Sequence, residues 1–66
     1  MDLGENIKEA RKNAKMTQKA VAEILDVRQK DVSRWETNVQ TPNIITFKKL
    51  CQAIGASADK ILELNN

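Results

Sequence analysis

The sequence predicts an all-α domain of five short helices. Three observations carry this expectation. Apolar residues recur every three to four positions, no stretch sustains the apolar–polar alternation of a half-buried strand, and capping signals interrupt the pattern at short intervals.

Leu3, Ile7, Ala10 and Ala14 form one apolar stripe and predict helix one over Leu3–Lys15, with the charged Arg11 beside the stripe. Thr17 is a good N-cap for helix two, Gln18 to Leu25, in which Val21, Ala22 and Leu25 share a face. Asp26 interrupts, and Val27 follows as an apolar turn residue. Helix three is expected over Gln29–Thr37. Val32 with Trp35, or Val32 with Glu36, faces inward, while Gln29, Lys30, Ser33 and Arg34 collect on the opposite side. Asn38 suits a left-handed C-cap and leads into an exposed Val39-Gln40 loop. Thr41 is expected to cap helix four, with Pro42 at the first helical position. Ile44, Phe47, Leu50, Cys51 and Ile54 make its core stripe, and Gly55 ends it. Ser57 then caps helix five, in which Ala58, Ile61 and Leu62 face inward.

At 66 residues the chain holds one domain, 1–66, and a hydrophobic content of 41% supplies a single small core. Its only aromatic residues are Trp35 and Phe47, so that core is aliphatic. There is no histidine, and Cys51 is the single cysteine, which excludes an internal disulfide and zinc sites built from those ligands. No acid–base pair with histidine and no Gly-rich phosphate loop can be assembled. The chain therefore reads as a non-enzyme with no cofactor, metal or small-molecule ligand implied. Its first residues, MDLGENIKEARKNAK, lack the apolar core of a signal peptide, and no apolar run approaches membrane-spanning length. The expected location is the cytoplasm, away from membranes.

The formal charge of +2 conceals a basic centre. Between residues 11 and 34, Arg11, Lys12, Lys15, Lys19, Arg28, Lys30 and Arg34 stand against Glu23, Asp26 and Asp31. The first ten residues are net acidic and residues 35–66 balance. A localised basic patch steers a protein towards a polyanion such as nucleic acid, although a solvated helical face carries the same charges.

Helices two and three are separated only by Asp26-Val27-Arg28, and such a turn with an apolar residue inside it is a helix-turn-helix signature, here over about residues 17–37. In ungapped register the chain carries Thr17-Gln18, Val21-Ala22, Val27, Val32-Ser33-Arg34-Trp35-Glu36, Pro42 and Ile54-Gly55. With these residues it resembles the phage-repressor (lambda repressor/Cro, XRE) helix-turn-helix family over nearly its whole length. The resemblance implies a compact five-helix lambda-repressor-like domain. Three departures stand out. Asp26 and Asn38 replace family glycines, and both residue types can visit the left-handed region. Arg28 replaces the serine that caps helix three; arginine cannot cap, and Asp31 is placed to bond back to the orphan backbone N–H. The arginine exchanges a cap for a DNA contact.

A major groove about 12 Å wide admits one helix, whose exposed face must present side chains at i, i+1, i+4 and i+5. Gln29, Lys30, Ser33 and Arg34 do so, flanked by Arg28, and are the candidate base readers; glutamine can pair with adenine, and arginine or lysine with guanine. Gln18 lies in the first turn of helix two, where N–H groups attract phosphate, and the resemblance gives it a phosphate-clamping role that also buttresses the reading helix. Thr17, Lys19, Asn38, Gln40, Thr41 and Asn43 are further phosphate candidates around the rim. The resemblance also implies that Arg11 and Glu36 pair, locking helix one to the end of helix three. Cys51 reads as a small core hydrophobe.

These features point to sequence-specific binding of double-stranded DNA by a transcriptional regulator, of repressor type. A protein-interaction module on the same scaffold, an antitoxin or adaptor with an idle helix-three face, is the alternative. One reading helix covers only a few base pairs, so the expected partner is a pseudo-palindromic operator bound by a homodimer, with half-sites about 34 Å apart. Val39, Ile45 and Leu64, apolar residues left over after the core is assigned, are the candidate dimer surface.

Overall fold

A computed structural model of the chain describes residues 2–56 and 61–62. Among the described residues there are four helices, α1 (Leu3–Asn13), α2 (Gln18–Leu25), α3 (Gln29–Glu36) and α4 (Ile44–Ile54), and no strand. Ile61 and Leu62 are helical, and Ile61 is buried. Ser57, Ala58 and Leu64, on which the rest of the expected fifth helix falls, lie outside the described residues.

α3 packs on both α1 and α2, and α4 packs on α2. One core results, built from Ile7, Val21, Ala22, Leu25, Val32, Trp35, Phe47, Leu50, Cys51, Ile54 and Ile61. Burial pushes the Cys51 thiol above its usual range, so it packs as a small apolar group and is held away from thiolate chemistry.

The four helices start on two kinds of cap. Asp2, Thr17 and Asn43 each accept a hydrogen bond from the backbone N–H three residues on, at 2.9, 3.0 and 2.8 Å. Arg28, at the head of α3, offers no acceptor; instead Asp31 Oδ2 accepts from the Arg28 backbone N–H at 3.2 Å. Only half of a reciprocal capping box is thus present.

All four helices end alike. A residue in the left-handed region follows each one: Lys15 (φ 59°), Asp26 (φ 57°), Asn38 (φ 63°) and Gly55 (φ 67°). After each, the next N–H reaches back to a carbonyl five residues earlier: Met16 to Arg11, Val27 to Ala22, Val39 to Arg34 and Ala56 to Cys51. This is the Schellman closure, and only the last of the four uses glycine.

Several sequence expectations need correction. α1 stops at Asn13 and not Lys15, because Lys15 supplies the left-handed residue of the closing turn. α3 stops at Glu36, and Thr37 is its C-cap. Thr41 does not cap α4 and Pro42 is not its first residue; Asn43 caps it, asparagine being the stronger N-cap. Ile44 is not part of the core. It remains 79% exposed, because the first turn of α4 extends beyond the α2 contact that buries Phe47, Leu50, Cys51 and Ile54.

Candidate nucleic-acid interface

The site is assembled around α3, and α3 is held from behind. Val32 and Trp35 anchor its inner side in the core. At its C-terminal end Glu36 is buried, and Arg11 of α1 meets it with two bonds: Nε donates to Oε2 at 2.6 Å and Nη2 to Oε1 at 3.1 Å. The remaining guanidinium nitrogen, Nη1, donates to the Met16 carbonyl at 2.8 Å. A fork-to-fork pair of this kind fixes orientation as well as contributing energy. Gln18 joins the same carboxylate, its Nε2 donating to Glu36 Oε1 at 3.0 Å. One carboxylate therefore ties α1, the first turn of α2 and the end of α3 together. Among the described residues no buried side-chain polar atom lacks a partner.

The outward side of α3 carries the expected reading residues. Arg28, Gln29 and Lys30 are exposed, and Ser33 and Arg34 are half-buried. The Arg28 side chain, 72% exposed, stands 3.8 Å from Asp31 in a loose surface pair that leaves it available to a ligand. The rim residues Thr17, Lys19, Gln40, Thr41 and Asn43 are all exposed, while Gln18 is half-buried against Glu36. Thr17 and Asn43 are themselves the N-caps of α2 and α4, so two helix N-termini, with their positive dipole ends, lie within the candidate set. Asn38 differs from the other rim residues. Both ends of its carboxamide are tied to the head of α1: Oδ1 accepts from the Gly4 N–H and Nδ2 donates to Asp2.

Reasoning from the sequence missed two features. Gly4 lies so close to the end of α3 that a Cβ built there would sit 2.6 Å from the Glu36 carbonyl oxygen and 2.7 Å from that of Trp35. A glycine in the first turn of a helix, where propensity disfavours it, was the available signal. The second is Ile44, which with Ile45 (67% exposed) borders an open apolar groove of about 460 Å³ lined by Phe47, Cys51, Ala56 and Leu62. Val39 is 69% exposed in the preceding loop.

Residues 4–66 match the family described as the helix-turn-helix domain. The chain belongs to that family. The helix-turn-helix domain is also 37% identical over 62 residues to the HTH-type transcriptional regulator ImmR of Bacillus subtilis (strain 168). That alignment covers 94% of this chain and 49% of ImmR, so the domain spans about half the length of its curated relative. No solved structure matches it significantly. Among the described residues no helix of the domain is long and apolar enough to cross a membrane.

Proposed function

We propose that this helix-turn-helix domain binds double-stranded DNA sequence-specifically, as the DNA-reading part of a transcriptional regulator of repressor type. α3 enters the major groove; Gln29 and Lys30 read base edges, with Arg28, Ser33 and Arg34 beside them. The observation that carries the reading is the division of α3. Its inner side is locked by Val32, Trp35 and the Arg11–Glu36 pair, and the other side leaves Arg28, Gln29 and Lys30 exposed. A side chain can discriminate a base only if the helix beneath it does not move.

Gln18 supplies the phosphate contact. An amide nitrogen has two hydrogens, and Glu36 takes one. The other is left for a backbone phosphate at the N-terminus of α2, with the side chain already oriented. Thr17 and Lys19 flank it, and Gln40, Thr41 and Asn43 form a second phosphate-binding rim before α4. Such contacts set register, while the base contacts specify sequence.

The domain acts as a homodimer on a pseudo-palindromic operator. Its longest extent, 31 Å, is close to the roughly 34 Å between half-sites one DNA turn apart, so neighbouring copies can touch along that axis. The apolar surface of Val39, Ile44 and Ile45 beside the α4 groove supports that contact. A two-fold interface needs projection and recess on the same patch, and the isoleucines and groove are adjacent.

A gel-shift titration on the genomic DNA flanking the gene, against specific and random competitors, tests the reading. Retention of one fragment against excess random duplex is the expected result. Failure to bind any duplex would favour a protein-interaction module with an idle α3 face.

A further inference from the structure

Asn38 occupies a position where a left-handed backbone is required, with φ at 63°. Glycine would satisfy that requirement without strain. Asparagine adds a side chain, and both of its polar atoms are engaged by residues more than thirty positions away. The Gly4 backbone N–H donates to Asn38 Oδ1 at 2.9 Å, and Asn38 Nδ2 donates to Asp2 Oδ1 at 2.9 Å. Gly4 N–H is one of the orphan donors at the head of α1, so a side chain from beyond the end of α3 helps to cap α1. The approach is close enough to demand glycine at position 4. A Cβ there would meet Asn38 Oδ1 at 2.8 Å as well as the two carbonyl oxygens at the end of α3.

We infer that Asn38, with Gly4, is a positioning residue for the reading helix: the latch between them sets the angle at which α3 lies on α1, and so the tilt of the Gln29–Arg34 face. The inference rests on the DNA reading above. Its physical basis is the number of anchor points. Val32 and Trp35 seat α3 in the core, and the Arg11–Glu36 pair ties its C-terminal end to one place on α1. The latch adds a second tie at Gly4, seven residues or two turns along α1, about 10 Å away. Two ties spaced along α1 resist rotation of the end of α3 about either one. Asn38 is thereby withdrawn from the phosphate rim, where an exposed loop asparagine would otherwise be placed.

The test uses a duplex selected by the wild-type protein from a random-sequence pool, and a scrambled duplex, each titrated at several salt concentrations. Asn38→Gly keeps the backbone conformation and removes the latch. Its expected effect is a loss of about tenfold in affinity for the selected duplex, the scale of lost internal hydrogen bonds, with scrambled-duplex affinity and salt slope unchanged. Asn38→Asp sets two carboxylates against each other and should lose affinity likewise. Exchanging the pair, Asp2→Asn with Asn38→Asp, restores a donor and an acceptor at constant net charge; because Asp2 Oδ1 also accepts the Glu5 N–H, the exchange gives up that cap bond and should recover part of the selected-duplex affinity. Equal losses on both duplexes with a shallower salt slope would make Asn38 a phosphate contact and overturn the inference. A lower Tm with an unchanged affinity ratio would reduce it to a structural residue and overturn it too. Hydrogen exchange of the Gly4 amide, read without DNA, separates this from the parent reading. If wild type binds neither duplex, both the DNA reading and the positioning role fall, while a Gly4 amide protected in wild type and exchanging in Asn38→Gly still establishes the latch.

Discussion

Gln18 and Glu36 are joined by a 3.0 Å hydrogen bond, in which the glutamine amide donates to the same oxygen that receives Arg11 Nη2. A half-buried residue at the head of α2 is thereby coupled to a buried ion pair at the tail of α3. Stability and the proposed phosphate contact meet in one carboxylate.

Glu36→Gln is expected to cost about 3–5 kcal/mol, because it leaves the buried Arg11 guanidinium without its counter-charge. Adding Arg11→Met should recover part of that loss. Urea denaturation of the single and double variants measures it, and strictly additive losses would show that the two side chains are not coupled.

Gln29→Ala and Lys30→Ala each remove an exposed side chain and should leave thermal unfolding unchanged. Each should reduce discrimination between the cognate site and random DNA by about 1–3 kcal/mol. If both variants bind the cognate site as wild type does, the reading face lies elsewhere.

Lys15→Gly should stabilise the domain. Lys15 holds φ at 59°, which costs an L-residue about 1–2 kcal/mol, whereas glycine meets it freely and loses about 0.5–1 kcal/mol in chain entropy. A rise in the urea midpoint at constant slope is the expected observation. A lower midpoint would mean that the lysine side chain contributes more than its backbone costs.

Asp2 predicts an acid-sensitive contribution. Donation from Asn38 Nδ2, and then from the Glu5 N–H, holds its carboxyl below the ordinary 3.8. A carboxyl lowered on folding stabilises fully above its unfolded value, and the benefit is lost as pH falls through the folded value. The Tm difference between wild type and Asp2→Ala should therefore be constant above about pH 5 and shrink below 3.8. A difference that stays flat through the acid range would detach Asp2 from the latch.

Dimerisation is read by sedimentation with a duplex carrying two half-sites. Two copies per duplex are expected, and Ile45→Lys should weaken loading of the second by placing a charge on the shared apolar patch. One protein per duplex at saturation, with no change on Ile45→Lys, would sink the dimer.

The residues alone determined where helices form and, in large part, how they begin and end. Apolar spacing, the Thr17 cap and the left-handed turns at Asp26, Asn38 and Gly55 act within about five positions of the chain, so neighbouring residues suffice to read them. The same locality explains the misreadings: Thr41 and Asn43 are both competent caps, and nothing nearby marked Lys15 as a left-handed residue. Tertiary structure alone decided which surface is covered and what the polar side chains meet. Ile44 continues the α4 stripe by periodicity, yet it stays exposed. Asn38 looks like any loop asparagine until α1 brings Gly4 against it from 34 residues away. Periodicity assigns a residue to a helix face, but burial and long-range hydrogen bonds depend on which element packs there, and that is settled only when the helices dock.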